Sequence, residues 1–480
     1  MTIKINHESH ISIYMQIYHQ IKNRIIDGDL HEGDRLLSER KLSQVLNVNR
    51  TTILSAYDLL KADGLIDSFS GKGTFVIYKT IQAGDHNNYY DYDFEGMYLK
   101  HHNGKHDDVI KMIMDDGIRR SNIFFAGGLP AENLIPNEAF HDIYRDLLND
   151  KTLNVLSSSD VSGVKTLKQM IKNLMIESSP SLKEILVTSG AQQALDLIFK
   201  TFLIPGDAVI VEEPTFFGAL QLLKHYGVKT VTVPMDNQGM DTGVLAYLIE
   251  RHHPKFIYTI PTYHNPTGIS MSLERRKDLL KIASHYNVAI IEDDPYSGLV
   301  YEESYPSLKS LSKSNHVIYV STFSKTLSLG LRIGWVTASE EVIKLLVRNK
   351  QISDLHVNTL NQYALASFIE SGSYRAHVIM VTEFYRRKRN LMIQMLKKHF
   401  EDIEYECPKG GYYIWLRLSS DVSIRKLFDL CKKKGVMMTP GYHFSQSNGP
   451  YIRLNFSYPS EEEIISGIKI ISDCYNELRK

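Results

Sequence analysis

Apolar positions in the first 78 residues keep a helical period and then change to the alternation of a short hairpin. In "IYMQIYHQIKNRIIDGDL" they recur at the spacing of one helical stripe, which stops at Gly28. "LLSERKLSQVLNV" and "NRTTILSAYDLLKADGLI" predict two more helices, with Ser38 and Asn49 as N-caps and Gly64 as a stop. "LIDSFSGKGTFVIY" predicts two short strands joined by a Gly-Lys-Gly turn. Residues 1–79 are therefore predicted to form an α+β module of helix, helix–turn–helix and hairpin.

From about residue 117 onward, short apolar runs alternate with helical patterns. Five runs predict buried strands: "EILVTSG", "DAVIVEE", "KFIYTIP", "VAIIEDD" and "HVIYVST". Strands separated by helices indicate an α/β domain with a mostly parallel central sheet, whose ligands bind at the carboxyl ends of the strands. Within this domain, 117–480, we expect a large part at about 165–345. A smaller α+β part is expected at about 117–160 and 350–480.

The intervening segment, 80–116, is polar and rich in Gly, Asn, His and Asp, without a sustained period. A stretch of that length without a predicted element is typical of a linker.

Composition narrows the functional classes. The chain has 480 residues, and Lys+Arg and Asp+Glu both number 55, so any basic surface for DNA must be local. Cys407, Cys431 and Cys474 form no CxxC pair and no metal-ligand spacing, which fits a reducing cytoplasm and predicts no metal site. The N-terminal "MTIKINHESH" has no apolar core, and no apolar stretch is long enough to span a membrane. We therefore expect a cytoplasmic protein.

The first module has the arrangement of a DNA-binding winged helix. The third predicted helix presents Arg50, Thr51 and Thr52 at its first turn, where a recognition helix meets bases and phosphates, and Lys72 lies at the tip of the wing. The alternative is a small helical dimerisation domain with ordinary surface charges.

Residues 11–77 resemble the winged-helix domain of GntR-type transcription regulators, through "GDRLLSERKLSQVLNVNRTT" and "ADGLIDSFSGKGTFV". The family usually has proline at the position of Leu37. The resemblance implies DNA contacts by Arg40, Asn49, Arg50, Thr51, Thr52, Gly71 and Lys72.

In the second module, "STFSKTLSLGLRIGWV" places Lys325 directly after a run predicted to be buried, where an ammonium group is costly. "VTSGAQQALDLIF" places Gly190 at a strand-to-helix junction, where free amides can bind a phosphate. Thr322, Ser324 and Arg332 would add hydroxyls and a guanidinium group for the same anion.

Three further motifs follow predicted strands. "PTYHNPTG" offers Asn265, "IIEDDPYSGL" offers Asp293 and Tyr296, and "EEPTFFGAL" offers Phe216. Each residue alone has an ordinary explanation, such as a surface lysine, a solvated carboxylate or a core phenylalanine. Together they describe a site for pyridoxal 5'-phosphate, which forms a Schiff base with a lysine and needs a carboxylate at its ring nitrogen. Asn265 and Tyr296 would bind the ring hydroxyl oxygen, and Phe216 would stack on the ring.

Residues of about 117–480 resemble fold-type-I aminotransferases, particularly the branch with 2-aminoadipate and aromatic aminotransferases. The resemblance implies Lys325 as the cofactor lysine and Asp293 as the partner of the ring nitrogen. The phosphate would be held by Gly190, Ala191, Gln192, Thr322, Ser324 and Arg332. "PYIRLNFSYPSEEEI" matches the segment whose arginine binds the substrate α-carboxylate, here Arg453, which could otherwise be a surface arginine. "FAGGLP" matches the glycine loop that covers the substrate, with Gly128 as the family glycine.

One position departs from the family. Five residues before Gly163 the family usually has a tyrosine that reaches the cofactor of a neighbouring subunit, and this chain has Ser158. A serine cannot reach as far or stack, so transamination is expected to be slow or absent unless a tyrosine from Tyr14–Tyr90 substitutes.

The combination resembles the MocR subfamily of GntR regulators. The resemblance implies a head-to-tail homodimer that binds operator DNA and uses its aminotransferase-like domain to sense an amino compound. Two alternatives remain: a working aminotransferase with an accessory DNA-binding domain, and a regulator whose ligand is pyridoxal phosphate itself.

Overall fold

The computed structural model describes residues 3–6, 9, 11–69, 71–78, 115, 122–176, 184–445 and 449–479. The chain forms two compact units, Met1–Gly104 and Lys105–Lys480. Of the predicted linker, 80–116, only Asp115 is among the described residues. The predicted domain boundaries stay predictions.

The first unit contains the predicted elements in the predicted order. They are α1 (Ile13–Ile26), α2 (Glu39–Leu46), α3 (Arg50–Ala62), β1 (Ile66–Phe69) and β2 (Gly73–Val76). The stripe of α1 is buried at Ile17, Tyr18, Ile21 and Ile25. Both predicted N-caps are confirmed, since the Ser38 side chain accepts a hydrogen bond from Lys41 N and the Asn49 side chain accepts one from Thr51 N. β1 and β2 pair antiparallel.

The second unit alternates strands and helices. Its helices are α4 (Asn137–Asn149), α5 (Lys165–Ile176), α6 (Ala191–Phe202), α7 (Phe217–His225), α8 (Leu245–His252), α9 (Leu273–His285), α10 (Leu308–Leu311), α11 (Glu340–Ser353), α12 (Thr359–Glu370), α13 (Ser373–His399), α14 (Ile424–Lys433) and α15 (Glu461–Arg479). Its strands are β3 (Ile123–Phe124), β4 (Glu184–Thr188), β5 (Ala208–Glu213), β6 (Lys229–Asp236), β7 (Gly239–Met240), β8 (Phe256–Thr259), β9 (Ala289–Asp293), β10 (Val317–Thr322), β11 (Gly334–Ala338), β12 (Tyr413–Arg417), β13 (Val436–Met437), β14 (Thr439–Pro440) and β15 (Tyr451–Asn455).

An eight-stranded sheet forms the centre of this unit, in the order β4-β11-β10-β9-β8-β5-β6-β7. The strands from β10 to β6 are mutually parallel, whereas β11 is antiparallel to both of its neighbours. All five predicted runs are strands of this sheet, so the prediction of a mostly parallel α/β sheet is confirmed. Helices α6, α7 and α11 pack apolar side chains against one side of the sheet, and α8 and α9 pack in a separate cluster.

Sheet direction brings the predicted motifs to one edge. Asp293 and Thr322 are the last residues of the parallel strands β9 and β10, and Gly190 follows the end of β4. Because parallel strands present their carboxyl ends at the same edge, these residues converge although they are far apart in the sequence.

A smaller antiparallel sheet, β12-β15-β14, supplies the other wall of the site. Arg453 on β15 lies opposite Trp415 on β12 and Thr439 on β14. β3 pairs in parallel with β13, and the glycine loop that follows β3 is thereby held beside this sheet. Among the described residues, no helix is both long enough and apolar enough to cross a membrane.

Candidate functional site

A cavity of about 750 Å³ opens at the carboxyl ends of the parallel strands, within the range of ~300–1,000 Å³ typical of ligand sites. The predicted residues that line it are Gly128, Ala191, Gln192, Phe216, Asn265, Asp293, Tyr296, Thr322, Ser324, Lys325, Arg332 and Arg453. The structure thus brings together every predicted cofactor and effector residue except Gly190, which lies directly behind Arg332.

Lys325 is held in the cavity by two backbone contacts. Its Nζ donates to the carbonyl of Gly128 at 2.6 Å, and its own carbonyl accepts a hydrogen bond from the Tyr412 hydroxyl. Desolvation lowers the pKa of Lys325, and the nearby guanidinium groups of Arg453 and Arg332 lower it further, against the opposing effects of Tyr413 and Asp293. A lysine with a lowered pKa has more of the neutral amine that is needed to attack a carbonyl.

Asp293 has one unused acceptor. Its Oδ2 accepts from the Tyr258 hydroxyl at 2.7 Å, whereas its buried Oδ1 has no hydrogen-bond partner. Burial raises the pKa of Asp293 to about 7, although the bond from Tyr258 opposes this shift. A buried acceptor of this kind suits a protonated ring nitrogen, whose charge would favour the ionised carboxylate.

Asn265 and Arg453 are directly joined on the opposite wall. Arg453 Nη1 donates to Asn265 Oδ1 at 2.7 Å, and Nη2 donates to the carbonyl of Ala126. The guanidinium group lies 4.2 Å from the ring centroid of Tyr413 and 4.6 Å from that of Phe444, while its buried Nε has no partner. Since Asn265 Oδ1 is used as an acceptor, its amide remains the donor for a ligand oxygen.

The predicted phosphate cradle depends on a glycine. Gly190 is the N-cap of α6 with φ +89°, and a Cβ there would lie 2.9 Å from Arg332 Nη2. Arg332 donates to the carbonyl of Ser189 at 2.7 Å, and the hydroxyls of Thr322 and Ser324 are 2.9 Å apart. Hydroxyls, a guanidinium group and the free amides of a helix N-terminus thus lie together, as anion binding requires.

Tyr413 is the main residue that the sequence analysis missed. Tyr296 donates its hydroxyl to Tyr413 Oη at 2.9 Å, and a Cβ on Gly128 would lie 2.0 Å from that same oxygen. Gly128 therefore lacks a side chain because the Tyr413 hydroxyl occupies the space. The pattern "GGYYIWL" indicates that one of its two tyrosines faces the cavity, since successive residues of a strand face opposite sides. It does not show which of the two it is.

Ser158 is exposed and is not among the residues that line the cavity. In the described parts of the chain, no group of three His, Cys, Asp or Glu residues is placed to hold a metal ion.

The residues predicted to contact DNA lie on the surface of the first unit. Arg40, Asn49, Arg50, Thr51, Gly71 and Lys72 are exposed, and Thr52 is half-buried. Arg50 lies at the first turn of α3 and pairs with Glu39 at 3.2 Å, while its side chain remains 67% exposed. Gly71, with φ +73°, lies in the turn of the hairpin beside Lys72. This arrangement presents a helix N-terminus and a hairpin tip to solvent.

Comparison with known proteins agrees with the two units. The family described as "Aminotransferase class I and II" matches residues 133–471, and "Bacterial regulatory proteins, gntR family" matches residues 13–76. The uncharacterized HTH-type transcriptional regulator YdfD of Bacillus subtilis is 32% identical over 95% of this chain and 94% of its own length. Aromatic-amino-acid aminotransferase 1 of Thermococcus litoralis is 36% identical over 75% of this chain and 89% of its own.

Among solved structures, the kynurenine aminotransferase of Pyrococcus horikoshii, in complex with PMP, superposes with a TM-score of 0.75. It is 30% identical, and the match covers 81% of this chain and 98% of that one.

Fold and site together define a fold-type-I aminotransferase domain joined to a gntR-type DNA-binding domain, with pyridoxal phosphate as the cofactor. The chain belongs to the MocR type of GntR regulators, a fusion of a regulator with an aminotransferase class I and II domain.

Replacing Asp293 with asparagine is expected to stabilise the cofactor-free chain at pH 8. Because the pKa of Asp293 is raised to about 7 in the folded chain, its stabilising contribution is fully present below about pH 4 and is lost as the pH rises through 7. At pH 8 the ionised, buried carboxylate therefore costs up to roughly 4 kcal/mol, which asparagine avoids. The check is the melting temperature of the cofactor-free native and variant chains at pH 5 and pH 8.

Burial also raises the pKa of Glu292 to about 7 and raises the pKa of Asp294, and both carboxyls remain in the two chains, so the prediction concerns the difference between the chains. An equal loss of melting temperature between pH 5 and pH 8 in the two chains would contradict the prediction.

Proposed function

We propose that this chain is a cytoplasmic, pyridoxal-phosphate-dependent transcriptional regulator whose aminotransferase-like domain senses an amino compound at Lys325. The observation that carries the proposal is the convergence of Lys325, Asp293 and Arg453 on one cavity, in a chain that also has a DNA-binding domain. A cofactor lysine, an acceptor for the ring nitrogen and an arginine for a carboxylate together suit an α-amino acid. Its amine would compete with the Lys325 amine while its carboxylate binds Arg453.

Different residues of the cavity would bind different groups of the cofactor. When bound, pyridoxal phosphate supplies an aldehyde that condenses with amines and a ring that withdraws electrons. Asp293 would hold a proton on the ring nitrogen, and Phe216 would stack on the ring. Asn265 would donate a hydrogen bond to the ring oxygen, and the Tyr296 hydroxyl would donate to it in place of its bond to Tyr413. The phosphate group would be bound by Gly190, Ala191, Gln192, Thr322, Ser324 and Arg332.

The first unit would bind operator DNA. Its positions for base and phosphate contacts are Arg40, Asn49, Arg50, Thr51, Thr52, Gly71 and Lys72. A head-to-tail homodimer suits this role, because a two-fold dimer presents two such surfaces to paired half-sites. Gly128 would cover the effector from the glycine loop.

Sensing requires that the effector bind two arrangements of the chain with unequal affinity. Coupling between two sites is typically worth about 1–3 kcal/mol, or roughly 5–150-fold in affinity. We therefore expect an effective amine to change the affinity for operator DNA within that range.

The test follows cofactor absorbance and DNA binding in one titration. Full-length chain is loaded with pyridoxal phosphate and mixed with a duplex that it selects from a random library. The amines added are L-phenylalanine, L-leucine, L-glutamate, L-lysine and 4-aminobutyrate. We expect at least one amine to change the absorbance and the DNA affinity with the same half-saturation. An absorbance change without any change in DNA affinity would refute the sensor function.

Two alternatives have distinct outcomes in this experiment. If DNA affinity responds to pyridoxal phosphate alone and no amine adds to the effect, the cofactor is itself the ligand. Steady turnover of an amino acid with a keto acid, without sequence-selective DNA binding, would identify an aminotransferase. The full set of cavity residues favours the enzyme, whereas serine at position 158 counts against it.

A further inference from the structure

The wall of the cavity beside Arg453 is made of apolar side chains that the cofactor does not need. Leu129, Phe217 and Leu329 line the cavity and pack in one apolar cluster, in which Phe217 and Leu329 are only partly buried. Their accessible surface therefore faces the cavity. We call these three residues the apolar wall.

Contacts place the apolar wall next to the carboxylate-binding arginine. Arg453 Nη2 donates to the carbonyl of Ala126, which belongs to the same cluster as Leu129. The ring of Phe444 lies 4.6 Å from the Arg453 guanidinium group and 5.5 Å from the ring of Phe217. A ligand whose α-carboxylate binds Arg453 would therefore direct its side chain onto this wall.

Under the proposed function, every charged group that lines the cavity binds either the cofactor or the α-carboxylate of the effector. Among the described residues that line it, the cations are Lys325, Arg332 and Arg453, and the carboxylate is Asp293. They serve the cofactor amine linkage, its phosphate, the α-carboxylate and the ring nitrogen, respectively. The Asn265 amide and the Tyr413 hydroxyl, which lie beside Arg453, are uncharged. A charged side chain on the ligand would lose its water here without gaining an opposite charge, which is strongly unfavourable.

We propose that the effector is an α-amino monocarboxylate with an uncharged apolar or aromatic side chain, and that the apolar wall selects it. Dicarboxylic and dibasic amino acids are excluded because the wall offers neither a cation nor a carboxylate. The inference rests on the proposed function and specifies the class of ligand at the same site.

The test compares amines on the native, cofactor-loaded full chain. L-Phenylalanine and L-leucine are expected to reach half-saturation of the absorbance change at concentrations at least about 10-fold lower than L-glutamate, L-2-aminoadipate and L-lysine. Equal or tighter binding of a dicarboxylic or dibasic amino acid would overturn the inference and leave the proposed function intact. If no amine changed the absorbance, both would fail.

A charge placed on the wall gives an independent measurement. Leu329→Arg supplies the missing cation, and it is expected to shift the ratio of L-glutamate to L-leucine affinity toward glutamate by about 10-fold or more. Leu345→Arg is the matched control, since Leu345 is 42% exposed on α11 and does not line the cavity. Circular dichroism and cofactor absorbance check that each variant is folded. An unchanged ratio of L-glutamate to L-leucine affinity in folded Leu329→Arg would refute the role of the wall. If that variant does not fold, the comparison of amines on the native chain is the test of the inference.

Discussion

Replacing Lys325 with alanine is expected to abolish both the covalent attachment of pyridoxal phosphate and the response of DNA binding to amines. Lys325 is the lysine that lines the described cavity, and under the proposed function its amine would attach the cofactor. Since the DNA-binding surface belongs to the other compact unit, Lys325→Ala should still bind the selected duplex in preference to random DNA. The measurements are mass spectrometry after borohydride reduction, which fixes the attached cofactor, and operator titrations with and without amine.

The variant should fold, because the main interaction that it removes is the hydrogen bond from Nζ to the Gly128 carbonyl at the cavity surface. Lys344→Ala is the matched control, because Lys344 lies on α11 with a side chain that is 71% exposed and an ion pair to Glu340. Covalent cofactor on Lys325→Ala, or a normal response of that variant to amines, would disprove the proposed role.

The sequence predicted the central fold well because the strongest signals are local. Ser38 and Asn49 precede helical periods and cap them, and the five apolar runs are strands buried on both faces. The strand β6 was missed for a physical reason. It lies near the edge of the sheet and alternates between exposed and buried residues, so it does not form a continuous apolar run. Pro234, near the end of β6, also indicates the end of a strand in the sequence.

The site was predictable where a motif lies at the end of a strand. Asp293 and Thr322 follow this rule, because strand direction alone brings them to one edge of the sheet. Tyr413 and the apolar wall were not predictable, since their positions depend on the register of the small sheet and on the packing of two loops against the start of α7. The sequence therefore indicated the cofactor, whereas the surroundings of the effector side chain required the structure.

Replacing Arg50 with alanine is expected to weaken binding to the selected duplex by about 10–100-fold and to relax its sequence preference, if Arg50 contacts a base edge. Arg50 is at the N-terminal turn of α3, and its ion pair with Glu39 is an exposed pair that costs little to break. Lys72→Ala, at the hairpin tip, is expected instead to weaken binding to all DNA sequences equally. It should also reduce the slope of log affinity against log salt concentration by about one, because one phosphate contact is lost. Both effects are measured by titrating specific and random duplexes at several salt concentrations.

Lys61→Ala is the control for general charge loss, because Lys61 lies in the last turn of α3, at the opposite end from Arg50. Cofactor absorbance and its change with amine should be native in all three variants, since the cavity belongs to the other unit. An Arg50→Ala chain that binds the selected duplex as tightly as the native chain would remove Arg50 from the interface. A loss in Lys61→Ala as large as that in Arg50→Ala would mean that net charge, and not the first turn of α3, governs binding. Lys325→Ala should show the opposite pattern, because it should lose the response to amines and keep the binding of DNA. Together these variants separate recognition of DNA from sensing of the amine.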